Sequence, residues 1–169
     1  IALFSDNFYP EISGISDSIL TLAKEIVKKG HYVNFYVPRY SKENYRKVGA
    51  GPEELRLGDR IKIIRLFSLP YPTGTNQGRL VIPTGLRWLG VKKFNPDIIH
   101  TNLFSGAGIE ALVTARVLKK PLVGTNHTAI KEFLRYSPIH GAWLDNLVLR
   151  YVSWYHNQCK LTTAPSRSV

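Results

Sequence analysis

Three loops in this sequence carry residue types that can do chemistry, and each directly follows a short apolar run. The loops span residues 5–14, 101–106 and 126–128. The third contains His127, whose imidazole can hydrogen-bond a sugar hydroxyl or a phosphate, or exchange a proton with a substrate. A histidine that only packs or caps a helix fits the same position, so position alone leaves both interpretations open.

The first loop ends at Ser13 and Gly14, where a run with helical periodicity begins. Free backbone N–H groups and the helix dipole favour a phosphate or diphosphate at such a helix start. A glycine there lets the backbone approach the ligand closely, and a simple turn glycine is the alternative. The pattern is not the Gly-x-Gly-x-x-Gly of dinucleotide oxidoreductases, which argues against NAD as the ligand.

Apolar periodicity indicates which elements position these loops. Strands are predicted at residues 1–4, 31–37, 60–66, 98–100, 121–126 and 161–164. Helices are predicted directly after Gly14, over 84–94, from Ser105 and over 142–155, with segments 39–58 and 68–83 as mostly loop. Strands that alternate with helices pair in parallel through right-handed crossovers. The predicted fold is therefore α/β, a Rossmann-like open parallel sheet with helices on both faces.

In such a sheet, ligands bind beyond the carboxyl ends of the strands, near the switch in strand order. The three loops follow strands at that edge, which makes them the candidate site. His100 differs from His127, because it alternates with apolar neighbours and is interpreted as a core histidine. Cys159 is interpreted as a packed residue near the last strand. Neither histidine has a partner at metal-ligand spacing, so no metal site is expected.

The chain is strongly basic, with 23 Lys and Arg against 12 Asp and Glu and a formal net charge of +11. That excess favours anionic partners such as phosphate esters, nucleic acid or an acidic membrane face, and a solvated basic surface is the alternative. A single cysteine excludes an internal disulfide, so a cytoplasmic enzyme is expected. No uncharged stretch approaches the ~18 residues of a membrane span. The lack of methionine and the start inside a strand suggest a piece of a longer chain.

Four segments, in this order and at this spacing, carry a family resemblance. They are IALFSDNFYP with SGI at the N-terminus, PDIIHT with Gly108 in the next helix, PLVGTNHT around His127, and CKLTTAPSRSV at the C-terminus. Together they resemble the first domain of the retaining glycosyltransferases of family four, which have the two-domain GT-B fold. The resemblance spans nearly the whole chain.

The resemblance implies a role for five residues. Gly14 would face the donor diphosphate together with Ser13, which stands where relatives often have a second glycine. His127 would contact the donor sugar near the reacting carbon, as the catalytic residue of this domain. Asp6 and Tyr9 would line the acceptor side. The nucleotide-binding residues would lie in a second, C-terminal domain outside this chain.

The resemblance also implies a mechanism that needs no cofactor and no metal. The donor substrate, a nucleoside-diphosphate sugar, would lose its diphosphate while an acceptor hydroxyl attacks from the same face, so the anomeric configuration is retained. The protein would orient the reactants and stabilise the departing negative charge. This piece by itself is not expected to catalyse transfer.

The acceptor is expected to be a lipid or a sugar. Several relatives glycosylate lipids at membranes, and basic residues beside aromatic ones suit an anionic membrane surface. The residues of this kind are Arg79, Arg87, Trp88, Lys92, Lys93, Lys131 and Arg135. A solvated helix face is the alternative. A lipid acceptor would add peripheral binding at the inner face of the membrane to the expected cytoplasmic location.

Two other functions remain alternatives. A GT-B sugar-nucleotide epimerase has similar architecture, but such enzymes typically carry further carboxylates for proton transfer, and no convergent pair is evident. A nucleic-acid-binding module is suggested only by charge, and strands that look buried on both faces disfavour it, so nucleic acid is not an expected partner. A Rossmann dehydrogenase is excluded mainly by the missing glycine fingerprint.

Overall fold

The computed structural model of the protein describes residues 1–51, 55–71, 77–127 and 141–166. The strands within these residues are β1 (Ala2–Phe4), β2 (Val33–Pro38), β3 (Ile61–Leu66), β4 (Ser68–Pro70), β5 (Arg79–Val81), β6 (Ile99–Thr101), β7 (Leu122–Thr125) and β8 (Leu161–Thr163). The helices are α1 (Gly14–Lys28), α2 (Lys42–Lys47), α3 (Trp88–Phe94), α4 (Gly106–Leu118) and α5 (Ala142–His156).

Six of these strands form one parallel sheet in the order β3-β2-β1-β6-β7-β8. The chain runs outward from β1 to β3, returns across the sheet, and then runs from β6 to β8 on the other side. In the register, Leu3 of β1 lies between Phe35 of β2 and His100 of β6. The predicted Rossmann-like parallel sheet is confirmed, and its strand order reverses between β1 and β6.

Helices cover both faces of the sheet because successive strand residues point to opposite sides. On one face, Leu3 and Phe35 pack in a cluster with Ile19 and Ala23 of α1. The cluster on the other face contains Phe4, Ile99, Ala107, Ala111 and Tyr155, which come from β1, β6, α4 and α5. The site must therefore lie at an edge of the sheet, where neither helix layer covers the strand ends.

Helix α1 begins where the sequence predicts. Ser13 is its N-cap, and the Ser13 Oγ accepts a hydrogen bond from the backbone N–H of Ser16 at 3.2 Å. Lys28 lies in the last turn, and Gly30 follows with a φ of 92°, a conformation that favours glycine. The cap places the end of the 5–14 loop directly on the first turn of α1.

The predicted loop 39–58 contains helix α2, so the prediction is wrong for residues 42–47. A capping box starts this helix. The Ser41 Oγ accepts from the Asn44 N–H at 3.3 Å, and the Asn44 side chain accepts from the Ser41 N–H at 3.1 Å. Asparagine replaces the usual Glu or Gln of this motif, and the helix has only six residues, which made its signal weak.

The predicted connection 68–83 is also wrong in part, because β4 and β5 pair as an antiparallel ribbon. In this hairpin, Leu69 lies opposite Leu80, and Pro70 lies opposite Arg79. Pro70 ends the first strand, and prolines are usual at strand ends and edges. The same proline made the segment look like a loop in the sequence.

The predicted basic helix 84–94 starts four residues late, at Trp88. The carboxylate of Glu110 holds the preceding turn instead, because it accepts hydrogen bonds from the Thr84 N–H, from the Thr84 hydroxyl at 2.8 Å and from the Gly85 N–H at 2.9 Å. Glu110 is fully buried in α4. A long-range contact from another helix therefore decides where α3 begins.

Candidate functional site

The loops after β1 and β6 meet around Asp6, at the point where strand order reverses. The Asp6 carboxylate accepts hydrogen bonds from the Ala107 N–H at 3.0 Å, the Ser105 hydroxyl at 2.7 Å and the Val81 N–H at 3.1 Å. Burial raises the pKa of Asp6, and these hydrogen bonds oppose the rise. Asp6, predicted for the acceptor side, thus occupies the N-terminus of α4 and ties it to the β4–β5 hairpin.

The end of the first loop is fixed to the start of α1 by one side chain. The Asn7 Oδ1 accepts from the Ser13 hydroxyl at 2.5 Å and from the Ser16 hydroxyl at 2.6 Å. Ser13 therefore serves as helix cap and loop anchor at once. Any ligand at the first turn of α1 would meet a backbone whose position is already set.

Gly14, the first residue of α1, is a glycine that the fold does not require. It is exposed, its φ is not in the left-handed region, and a Cβ at this position would have nothing within 4 Å. Gly106 at the start of α4 is different, because a Cβ there would lie 1.8 Å from the Val81 carbonyl oxygen. Close packing against Val81 therefore requires a glycine at position 106, whereas the space next to Gly14 is open.

Tyr9 lies in the middle of the first loop and is half-buried. Its carbonyl oxygen accepts from the Arg65 Nη2 at 2.9 Å, and its ring meets that of Tyr45 edge-on at 6.0 Å. The same guanidinium donates from Nη1 to the Pro38 carbonyl at 2.9 Å and lies over the Phe8 ring at 5.2 Å. Arg65, which the sequence analysis missed, joins the ends of β2 and β3 to the loop that carries Tyr9.

A second buried contact supports the same loop. The Tyr40 hydroxyl donates to the Glu11 Oε2 at 3.2 Å and accepts from the Phe8 N–H at 3.3 Å. Burial and the charge of Glu11 raise the pKa of Tyr40, so the phenol stays protonated. A charged residue within a predicted strand is unusual, and this signal could have indicated Arg65. Nothing in the local sequence indicates a role for Tyr40 or Glu11.

His127 follows β7, beside the loop after β6, and is half-buried. Its Nε2 lies 3.2 Å from the Oδ1 of Asn102, and burial lowers the pKa of His127. His100 lies within β6, where its Nε2 is 2.8 Å from the Thr125 hydroxyl. Burial and the nearby His127 lower the pKa of His100 to about 4, so this histidine is neutral and satisfied in the core, as predicted.

The basic and aromatic set predicted for a membrane surface divides into three groups. Arg79 is half-buried and donates to the Ser68 hydroxyl at 3.2 Å and the Ser68 carbonyl at 2.6 Å. Arg87 and Trp88 are half-buried, and the lysines at 92 and 93 are exposed. Lys131 and Arg135 lie outside the described residues. The hydrogen bonds from Arg79 to Ser68 therefore stabilise the β4–β5 hairpin.

The β4–β5 hairpin presents an apolar face at the same edge of the sheet. Phe67, Leu69 and Tyr71 alternate along the chain and are 57%, 48% and 51% exposed. Between them, Ser68 points to the opposite, buried side, with Val81 as its partner in the ribbon. Val81 is the residue whose N–H reaches Asp6. The hairpin that carries this exposed apolar face is thus hydrogen-bonded to Asp6 through β5, and no sequence signal had indicated the face.

The described residues include neither a membrane-spanning helix nor a cluster of metal-ligand residues. None of the helices they form combines the length and apolarity needed to cross a bilayer. The same residues hold no group of three or more His, Cys, Asp or Glu placed to bind a metal ion.

A comparison with family models matches residues 12–169 to Glycosyltransferase Family 4. The chain belongs to Glycosyltransferase Family 4. This assignment confirms the resemblance that the sequence carries, and the matched residues include the helix start at Gly14 and His127.

Two curated relatives with similar sequences are named for different sugar transfers. The chain is 28% identical over 137 residues to the alpha-monoglucosyldiacylglycerol synthase of Streptococcus pneumoniae, which covers 80% of this chain and 28% of that protein. It is 26% identical over 178 residues to the GDP-mannose-dependent alpha-mannosyltransferase of Mycolicibacterium smegmatis, which covers 99% of this chain and 42% of that protein. The chain thus spans less than half the length of these relatives.

A solved structure has the same fold. Anabaena HepE, determined in complex with UDP and glucose, superposes with a TM-score of 0.55 at 15% identity, over 99% of this chain and 38% of that one. The likeness agrees with the GT-B architecture expected of Glycosyltransferase Family 4. This chain therefore matches little more than a third of that one.

Proposed function

We propose that the full-length protein transfers a sugar from a nucleoside-diphosphate sugar to an acceptor hydroxyl, with retention of the anomeric configuration. In this proposal, the chain described above is the acceptor-side domain, and a second domain binds the nucleotide. The named relatives support both substrate classes, because one is named for GDP-mannose and the other for a glucosylated diacylglycerol.

The observation that carries the proposal is the open first turn of α1. Two helices, α1 and α4, begin at the edge where strand order reverses, and the carboxylate of Asp6 already occupies the start of α4. The start of α1 carries the exposed Gly14, which the fold itself does not need. A donor diphosphate at this turn would meet free N–H groups and the positive end of the helix dipole.

The chemistry follows from this placement. The bond between the anomeric carbon and the diphosphate oxygen breaks, the acceptor oxygen bonds to the same carbon, and the acceptor proton leaves with the diphosphate. The N–H groups at the start of α1 would stabilise the negative charge that develops on the leaving group. His127 would contact the sugar. The loop that carries Tyr9, which Arg65 and Tyr40 hold in position, would place the acceptor next to the sugar.

Asp6 has a supporting role in this scheme. Its carboxylate is 6% exposed and accepts three hydrogen bonds from the loop after β6, α4 and β5. It would shape the acceptor side by holding these elements together.

A lipid acceptor at an anionic membrane is the finer part of the proposal. The exposed face of Phe67, Leu69 and Tyr71 belongs to the hairpin that is hydrogen-bonded to Asp6, and the chain carries a net charge of +11. Apolar side chains next to a basic surface favour binding to the interface of an anionic bilayer. Such binding would keep the protein at the inner face of the membrane, close to a lipid hydroxyl.

The site proposal is tested by adding a side chain over the first turn of α1. Gly14→Val should lower kcat/KM for the nucleotide sugar by at least about tenfold, because the added methyl groups occupy the space for the diphosphate. Gly90→Val is the matched control, since Gly90 also lies in a helix with nothing within 4 Å of a Cβ.

Steady-state kinetics and a melting temperature for each full-length variant give the readout. The proposal predicts that only Gly14→Val loses activity while both variants keep their fold. Equal activity of the two folded variants would show that no donor group sits on the first turn of α1.

A further inference from the structure

Asn102 links His127 to the first strand of the sheet. It is the first residue after β6, is 1% exposed, and donates its backbone N–H to the Phe4 carbonyl oxygen at 3.0 Å. Its side chain therefore projects from a fixed point between the loop after β1 and the loop after β7. No role was predicted for it from the sequence.

The amide of Asn102 can adopt only one orientation in this environment. Its Nδ2 lies 3.4 Å from the Phe4 carbonyl oxygen, which can only accept a hydrogen bond. A flipped amide would place two oxygens against each other. The Oδ1 must consequently face His127, where it lies 3.2 Å from the Nε2.

This orientation fixes the tautomer of His127. An amide oxygen has no hydrogen to donate, so the Nε2 of His127 must carry the proton of that hydrogen bond. In a neutral imidazole the other nitrogen, Nδ1, then carries a lone pair.

The surroundings of His127 favour the neutral ring. Burial lowers its pKa, and the titratable group that faces it among the described residues is His100 of β6. His100 is itself held neutral by burial, with a pKa of about 4. No carboxylate acts on His127 in that part of the chain to stabilise an imidazolium.

We propose that Asn102 is a positioning residue that keeps His127 in the Nε2–H tautomer, so that Nδ1 accepts a hydrogen bond from a substrate hydroxyl. His127 then acts as a neutral acceptor for a hydroxyl group of a sugar. It does not act as a cation that donates to a phosphate. The nature of the substrate rests on the proposed function, whereas the tautomer does not.

The tautomer can be observed without any substrate. Two-bond ¹H–¹⁵N spectra of the full-length protein with ¹⁵N-labelled histidine distinguish the two neutral tautomers, and His127→Gln identifies the signal. We expect the Nε2–H pattern for His127 at pH 7.5. A Nδ1–H pattern, an equal mixture of tautomers or a protonated ring would overturn the assignment to Asn102.

The role in the reaction is tested by Asn102→Asp. A carboxylate in place of the amide favours the imidazolium and raises the pKa of His127, so more rings are protonated at neutral pH. A protonated Nδ1 cannot accept a hydroxyl hydrogen bond. The acidic limb of the kcat/KM profile should therefore move to higher pH by about one unit or more, with activity recovering above it.

Asn157→Asp is the matched control, because Asn157 is exposed at the C-cap of α5 and the substitution adds the same charge. Its pH profile should equal that of the wild type. Asn102→Ala should lower kcat without moving the acidic limb, since it removes the acceptor and adds no charge. If Asn102→Asp folds and its acidic limb stays in place, His127 is not a hydroxyl acceptor in the reaction. Transfer that is absent in the wild type contradicts only the proposed function.

Discussion

At the scale of single residues, the site is held by side chains that touch no substrate in the proposed reaction. Arg65 and Tyr40 bind backbone atoms of the first loop, and Asp6 binds backbone atoms of α4 and β5. Each is half-buried or buried and reaches groups far away in the sequence. The residues nearest the proposed substrates, Gly14 and His127, depend on these contacts for their placement.

The positions of the residues nearest the proposed substrates were easier to predict from the sequence than the positions of the residues that support them. Gly14 and His127 could be located because strand ends and a helix start are local patterns. Arg65 and Glu11 could not be located, because their partners are brought together only by the sheet. The role of Asp6 at the start of α4 likewise depends on the pairing of β1 with β6.

His100 gives the protein a measurable pH dependence of stability. Its pKa is lowered from 6.5 to about 4 in the fold. Between these pH values His100 binds a proton in the unfolded chain but not in the folded chain. The free energy of unfolding is therefore highest above pH 6.5 and falls as the pH is lowered. The loss due to His100 should reach about 3 kcal/mol near pH 4.

Denaturant unfolding at several pH values checks this expectation. His100→Gln keeps a hydrogen-bonding group near Thr125 but has no titrating ring, so its free energy of unfolding should fall less steeply between pH 6.5 and 4. His31→Gln is the control, because His31 is exposed. Parallel curves for wild type and His100→Gln would contradict the buried, neutral state of this histidine.

At the scale of elements, regular periodicity was sufficient for the main sheet and its covering helices. Strands β1, β2, β3, β6, β7 and β8 lie within two residues of their predicted positions at each end. Helix α2 was missed because it is short, and the β4–β5 hairpin because Pro70 interrupts its pattern. The start of α3 was misplaced because the buried Glu110 holds the turn before it.

The hairpin carries its own prediction. Phe67→Ser together with Leu69→Ser should reduce binding of the full-length protein to vesicles containing phosphatidylglycerol by about tenfold or more, because two exposed apolar side chains no longer enter the interface. Co-sedimentation at low ionic strength measures the bound fraction. The binding should weaken as salt is added, because the basic surface is screened.

The matched control removes a similar apolar surface elsewhere. Trp143 and Leu147 lie one turn apart on α5 and are 73% and 56% exposed, so Trp143→Ser with Leu147→Ser removes at least as much exposed area. We expect this control to bind vesicles as the wild type does. Loss of binding in the control alone would assign the membrane surface to α5 instead of the hairpin.

At the scale of the whole molecule, alternating elements were enough to predict the fold class and the edge of the sheet at which the candidate loops meet. The chain belongs to Glycosyltransferase Family 4 and has the Rossmann-like sheet expected for it. The proposed function assigns the groups that read the nucleotide to a second domain, so the described loops do not predict which nucleotide the donor carries. The net charge of +11 favours anionic partners without naming one.

The configuration of the product shows whether the full-length protein is a retaining glycosyltransferase. The protein is incubated with α-linked UDP-glucose or GDP-mannose and vesicles containing diacylglycerol or its monoglucoside, and the product is analysed by NMR. We expect a lipid-linked sugar with the α-configuration of the donor. A β-linked product, or a sugar nucleotide that is epimerised without transfer, would contradict the proposed function.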